Sequence, residues 1–233
     1  MEKQQIRMKE LPIEDRPYEK CRQYGPEALQ DAELLAVILR TGTRGKSALD
    51  LAGEILRRSS SRTGLLSLHH LSLQELTDIP GVGMVKAIQI KCIGELCKRM
   101  ARMEARRTLS FHDPKTIADY YMEFLRHEEQ EKIFLMMLDT KNQLLGEQCM
   151  SQGTANISVL TPREVLITAL QHHAVNLILL HNHPSGDPAP SREDALLTER
   201  IRQSADIIGL HLLDHIVIGD HRYVSFREAG YLA

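Results

Sequence analysis

Val175-Asn176-Leu177-Ile178-Leu179-Leu180-His181-Asn182-His183-Pro184 is the stretch from which the fold is read, together with the loop Ser185-Gly186-Asp187-Pro188-Ala189-Pro190 and then Ser191 and Asp194. The apolar run Val175 to Leu180, bounded by Pro and Gly, predicts a short buried strand of an α/β sheet. Side chains two apart on a strand share a face, so His181 and His183 leave its carboxyl end together. Residues 184–190 are loop chemistry. A helical pattern starts at Ser191, which puts Ser191 and Asp194 on one face of the first turn. Loops at the carboxyl ends of strands are where open α/β sheets place ligands. The pattern His-x-His-Pro-x6-Ser-x-x-Asp therefore reads as three ligands for one metal, His181, His183 and Asp194, with a polar group beside them. A catalytic zinc takes three such ligands and keeps a position for water. Taken alone, Ser191 and Asp194 are also a helix start, an N-cap and a carboxylate favoured by the helix dipole.

Outward from this stretch, Ile133 to Leu138 and Leu144 to Met150 are strand-like segments joined by Asp139-Thr140-Lys141-Asn142, which predicts a hairpin. Thr161-Pro162-Arg163-Glu164 is a capping box with Pro at N1, so Glu164 has a structural task. His172-His173 ends a helix, where cations suit the dipole. Asp214-His215, in the run Leu210 to Gly219, is placed to hydrogen-bond a ligand histidine. His127-Glu128-Glu129-Gln130-Glu131 begins like a zincin helix but lacks the second histidine, and reads as an exposed charged turn. Cys92 and Cys97 lack the Pro-Cys-x-x-Cys pattern of zinc deaminases.

These residues resemble a known group. The His181 to Asp194 pattern is similar to that of the JAMM metallopeptidases of the JAB/MPN type. Adding Pro162-Arg163-Glu164-Val165, Ser185-Gly186 and Leu213-Asp214-His215 brings the chain close to the bacterial RadC-like family, over nearly its whole length. The resemblance implies a JAMM/MPN-like α/β domain with a mixed sheet between helices. It also implies zinc on His181, His183 and Asp194, with Ser191 beside the bound water. Such a site needs a glutamate from an earlier strand, for which Glu147 in Leu144-Leu145-Gly146-Glu147 is the candidate. Glu147 would act as general base and Ser191 would help stabilise the oxyanion, giving peptide or isopeptide hydrolysis without a covalent intermediate.

The amino-terminal part reads as all helix. Asp31 to Leu39 and Ser47 to Leu56 are helical, and Leu71 to Met100 gives two helices around Ile79-Pro80-Gly81-Val82-Gly83, similar to a helix-hairpin-helix motif. Glycines in such a hairpin let backbone amides approach a phosphate without reading sequence. Residues 1–107 carry 19 Lys and Arg against 14 Asp and Glu, and residues 108–233 carry 10 against 17. Gly81, Gly83 and Lys86, with Arg102, Arg106 and Arg107, form the candidate DNA-contact set. A helix-hairpin-helix glycosylase is not supported, since no aspartate lies between Asp78 and Asp113.

The expected organisation is a helical domain and linker helix over residues 1–107 and a JAMM/MPN-like metallohydrolase domain over 108–233. The 42% hydrophobic and 26% charged content is that of an ordinary soluble protein. No apolar run approaches the ~18 residues of a membrane span. The start lacks signal-peptide character and the four cysteines lack a pattern, which together predict a cytoplasmic, reducing location. The function expected is zinc-dependent hydrolysis of a protein or peptide, with DNA-associated proteins as a candidate target. Alternatives are a DNA-binding repair or recombination accessory with a structural metal, and a metal-dependent nuclease. Magnesium ligation by oxygen would favour the nuclease, and two histidines do not.

Overall fold

A computed structural model describes residues 12–59, 64–106, 109–153 and 160–232. The chain divides into two compact units, residues 1–97 and 98–233. The division falls inside the longest helix rather than at 107/108, because residues 98–106 of that helix bond into the second unit: Lys98 pairs with Glu128 at 3.5 Å and Arg102 with Glu147 at 2.8 Å.

The first unit is helical: α1 (Pro17–Tyr24), α2 (Asp31–Leu39), α3 (Ala48–Leu56), α4 (Ser67–His70), α5 (Leu73–Thr77) and the start of α6 (Met84–Arg106). Reciprocal capping boxes start α3 and α5. Ser47 Oγ accepts from Asp50 N while Asp50 accepts from Ser47 N, and Ser72 and Glu75 repeat the exchange. Each box satisfies backbone donors that a helix start leaves open. Leu35, Leu51, Ile55, Leu76 and Ile90 form the core, joined by Ile79 and Val82 from the hairpin. The hairpin is thus held by burying its own apolar residues. Gly81 adopts φ 100°, and a Cβ there would stand 2.5 Å from the Thr43 Cβ, so this position takes glycine for both conformation and space.

The second unit is a mixed sheet between helices. Its elements after α6 are α7 (Pro114–Leu125), β1 (Lys132–Leu138), β2 (Leu144–Gln152), α8 (Pro162–Gln171), β3 (Asn176–Asn182), α9 (Arg192–Ile207), β4 (His211–Ile218) and β5 (Tyr223–Ser225). The strand order is β2-β1-β3-β4-β5, antiparallel except for the parallel pair β3 and β4. That parallel pair is joined through α9, as a crossover connection requires. The predicted β1–β2 hairpin forms, with Asn142 at φ 57° in its turn.

Strand alternation sorts the two faces. Ile133, Leu135, Met137, Leu177 and Leu179 pack with Val165 of α8 and Leu197 and Ile201 of α9. Phe134, Met136, Leu138, Ile178 and Leu180 pack with Ile117, Tyr121 and Leu125 of α7. β1 and β3 are almost wholly buried, which accounts for their unbroken apolar sequences. Among the described residues no helix is long and apolar enough to cross a membrane.

Candidate metal centre

The end of β3 and the start of α9 bring His181, His183 and Asp194 together. His181 continues the face of Leu177 and Leu179, the side on which α9 lies. His183 follows just after the strand and is held by its backbone N donating to Ile218 O at 2.9 Å. Asp194 sits in the first turn of α9, fully buried, its Oδ2 accepting from Ser191 N at 2.7 Å and Ser191 Oγ at 2.8 Å. The helix cap thereby also fixes the direction of the carboxylate.

The separations suit a metal. His181 Nε2 lies 3.0 Å from His183 Nε2 and 3.2 Å from Asp194 Oδ1, and His183 Nε2 lies 3.4 Å from Asp194 Oδ2. Ligand atoms about 2.0–2.1 Å from a tetrahedral zinc stand about 3.3 Å apart. Asp194 Oδ1 is buried with no hydrogen-bond partner, an acceptor left for a cation.

The surrounding hydrogen bonds settle which ring nitrogens carry lone pairs. Thr198 Oγ1 lies 2.6 Å from Asp194 O, where its only hydrogen must go, and 2.6 Å from His215 Nδ1, from which it must accept. His215 Nε2 is then an acceptor for His181 Nδ1–H at 2.8 Å, so in the neutral His181 ring the lone pair is on Nε2. His183 Nδ1 faces the Asp187 carbonyl at 2.8 Å and must donate, which frees its Nε2 as well. Two lone pairs and a carboxylate oxygen thus converge, an arrangement that demands a positive charge among them. A proton answers the same demand as a metal would. Hydrogen bonding to Asp194 raises the His183 pKa, outweighing burial. Burial opposes ionisation of Asp194, yet His181 and His183 hold its carboxyl well below the usual range. Burial, with His181 beside it, pushes His215 well below the ordinary histidine value and keeps it neutral.

Of the pair Asp214-His215, His215 meets the expectation and Asp214 does not. Asp214 turns to the other face, accepting from Ser225 Oγ at 2.6 Å and from the backbone N of His215 and Arg227. Glu164 is occupied by its capping box, as expected. His172 Nδ1 lies 3.0 Å from the Thr168 carbonyl, and His172 closes α8 as its C-cap.

Glu147 is not brought to the histidines. It pairs with Met136, which pairs with Ile178, so it projects on the α7 face of the sheet while His181 projects on the α9 face. There it accepts from Tyr121 and forms an ion pair with Arg102 at 2.8 Å. A second carboxylate whose charge acts on the centre is that of Glu131. Ile133 pairs with His181, and Glu131 lies one pleat step ahead of Ile133; its charge adds to the larger effect of Asp194 in raising the His183 pKa. Asn182 fixes this start of β1: its Oδ1 accepts from Lys132 N at 2.9 Å and its Nδ2 donates to Gln130 O at 3.2 Å. The segment containing Glu131 is not the plain exposed turn expected, since His127 is buried. The signal that could have located Glu131 was its place just ahead of the first buried strand. The register that brings it beside β3 is not written in the local sequence.

Ser191 lies in the centre, but its hydroxyl hydrogen is given to Asp194 Oδ2 and its oxygen accepts from Asp194 N at 3.1 Å. Its observed task is to orient Asp194, so the expected oxyanion contact is not formed.

The comparisons with known proteins extend this picture. Residues 111–231 match the family model described as RadC-like JAB domain, and residues 8–88 match that described as UPF0758 N-terminal. The chain belongs to the RadC-like JAB family. It is 42% identical over 227 residues to the UPF0758 protein YsxA of Bacillus subtilis, covering 97% of each chain. It is 41% identical to a UPF0758 protein of Clostridium acetobutylicum, covering 97% of this chain and 98% of the relative. With a UPF0758 protein of Methanosarcina acetivorans the identity is 40% over 232 residues and the full length of both chains. A JAMM-type domain and a His-His-Asp group able to hold a metal together point to a metal-dependent hydrolase as the functional class.

The candidate DNA-contact residues fall in both units, Gly81, Gly83 and Lys86 in the first and Arg102 and Arg106 in the second. Lys86 is turned inward, its ammonium donating to Thr41 O at 2.6 Å, Gly42 O at 3.3 Å and Gly81 O at 3.1 Å, so it ties the hairpin to its own unit rather than facing a phosphate. Burial lowers its pKa accordingly. Gly81 packs on Thr43, whereas Gly83 has nothing within 4 Å of where a Cβ would lie. The α6 start beyond it exposes Met84 and Val85, apolar rather than basic. Arg102 is committed to Glu147, Arg106 lines a cavity of the second unit, and Arg107 lies outside the described residues.

Proposed function

We propose that this chain is a zinc-dependent peptidase or isopeptidase in which His181, His183 and Asp194 hold the metal and Glu131 is the proton carrier. The observation that carries the reading is the convergence of three lone-pair donors whose hydrogens are all committed elsewhere. Zinc bound there would supply Lewis acidity toward a carbonyl oxygen and lower the pKa of water at the open position to about 7. Nitrogen donors in two of three places favour zinc over magnesium, which weighs against the nuclease alternative.

The chain's own residues divide the remaining work. Glu131 takes a proton from the attacking water and returns it to the leaving amine. His215 and Thr198 keep His181 in the ligating tautomer, and the Asp187 carbonyl does the same for His183. Ser191 aims Asp194. The substrate class proposed is a protein or peptide amide. A DNA-associated target is a separate proposal, for which Gly83 at the open start of α6 is the remaining candidate contact.

The deciding experiment is metal analysis of purified protein followed by a peptide-library cleavage screen, with Glu131→Gln as the blank. About one zinc per chain is expected, with cleavage by wild type and not by the variant. Full zinc retention by a His181→Ala, His183→Ala double variant, or equal cleavage by Glu131→Gln, overturns the reading.

A further inference from the structure

Asn182 is the last residue of β3, stands between the two histidine ligands, and is 1% exposed. Its backbone is tied to β4: Asn182 pairs with Ile218, and His183 N donates to Ile218 O at 2.9 Å. Its side chain is tied to the start of β1. Oδ1 accepts from Lys132 N at 2.9 Å, and Nδ2 donates to Gln130 O at 3.2 Å. These partners fix the orientation of the amide, since a backbone N–H only donates and a carbonyl only accepts. The two peptide groups held in this way are those immediately before and after the Glu131 Cα.

The ladder between β1 and β3 ends with Ile133 and His181 as its last pair. Beyond that pair the connection passes to the Asn182 amide, which carries both the donor and the acceptor of a peptide group. A serine or threonine hydroxyl offers one atom where two are used, and an aspartate carboxylate has no hydrogen for Gln130 O. On the other edge of β1, Gly153 N donates to Glu131 O at 3.2 Å, which continues the β1–β2 ladder past Lys132 and Gln152. The backbone of Glu131 is therefore extended and held from both edges. Its direction follows from alternation. Lys132 reaches Glu128 at 2.8 Å and lies over the Phe124 ring of α7 at 5.8 Å, so Glu131 leaves the strand on the other face, the one that carries His181.

We propose that Asn182 is a positioning residue for Glu131. One buried amide joins the ligand-bearing end of β3 to the backbone on both sides of the proton carrier, so that ligands and carboxylate keep one spacing. The proposal rests on the reading of Glu131 as that carrier. The ligands themselves are oriented independently, His181 through His215 and His183 through the Asp187 carbonyl. Loss of the amide should therefore displace Glu131 and leave the metal ligands in place.

Wild type, Asn182→Ala, Glu131→Gln and the double variant, each as the zinc-loaded full chain, test it. Amide hydrogen exchange at Lys132 is expected to quicken about tenfold in Asn182→Ala, the size of one lost hydrogen bond. Zinc affinity, read by chelator competition, should be unchanged. On a cleaved peptide kcat should fall about 10–100-fold at unchanged KM, as for a reacting group displaced by about an ångström. In the Glu131→Gln background the same substitution should cost nothing further. Asn182→Asp keeps an acceptor for Lys132 N but no donor for Gln130 O; it should lie between wild type and Asn182→Ala, and it replaces the alanine variant if that one does not fold. Equal loss of kcat in both backgrounds, weakened zinc binding or unchanged exchange at Lys132 overturns this proposal and leaves the Glu131 assignment standing. Cleavage by Glu131→Gln at the wild-type rate overturns that assignment, and this proposal with it.

Discussion

His215 Nε2 stands 2.8 Å behind His181 Nδ1, both rings buried, and on the far side of His215 its proton is fixed by Thr198 Oγ1 at 2.6 Å. A metal ligand is thus oriented through a chain of two side chains from β4 and α9. Thr198→Val should preserve the shape while removing the acceptor for His215 Nδ1–H. Zinc affinity is expected to fall about 10–100-fold, the range for losing such an orienting partner. Chelator competition measures it. Unchanged affinity in Thr198→Val and in His215→Gln would remove the tautomer argument.

Glu131 and Glu147 make opposite predictions. Glu131→Gln should keep zinc and lose at least about 10²-fold in hydrolysis, as expected for a general base. Glu147→Gln should keep both zinc and hydrolysis, because its carboxylate lies across the sheet on Arg102 and Tyr121. Rates of the two variants on one cleaved peptide decide between the faces. Loss confined to Glu147→Gln would show that the register argument fails.

Glu147→Gln should nevertheless register in stability. The Arg102 pair is about one-third exposed, with side-chain exposures of 30% and 34%, so solvent screens it and the cost should be about 1 kcal/mol. Arg102→Ala should cost more, since it also removes packing over Tyr120 and Phe124. Denaturant midpoints of the two variants check the order.

Lys86→Met is expected to destabilise the helical unit by about 1–2 kcal/mol, because three backbone carbonyls lose a charged donor. Its effect on affinity for DNA, if the protein binds DNA, should be no larger than its effect on folding. Gly81→Ala should be destabilising too, given φ 100° and the Thr43 contact, whereas Gly83→Ala should leave stability nearly unchanged. Thermal denaturation separates the three. A stable Lys86→Met with a reduced salt slope of DNA binding would return Lys86 to a contact role.

Much of the architecture was legible along the chain because it rests on local physics. Apolar runs without alternation give β1 and β3 as buried strands, the helix starts at Thr161 and Ser191 are marked by their own caps, and Asp139 to Asn142 closes the hairpin. His181, His183 and Asp194 were legible for the same reason, since one strand end and one helix start bring them together within 14 positions. What only the tertiary structure decided is which distant groups join them. Glu131 is carried toward the end of β3 by the pairing of β1 with β3, His215 reaches His181 through the parallel pairing of β3 with β4, and Lys86 is drawn inward by carbonyls of Thr41 and Gly42. A shift of one residue in strand register turns a side chain to the other face. Sequence spacing therefore sets which residues a segment can present, while pairing between segments sets the face on which each arrives. That difference turns Glu147 toward α7, away from the face that carries His181.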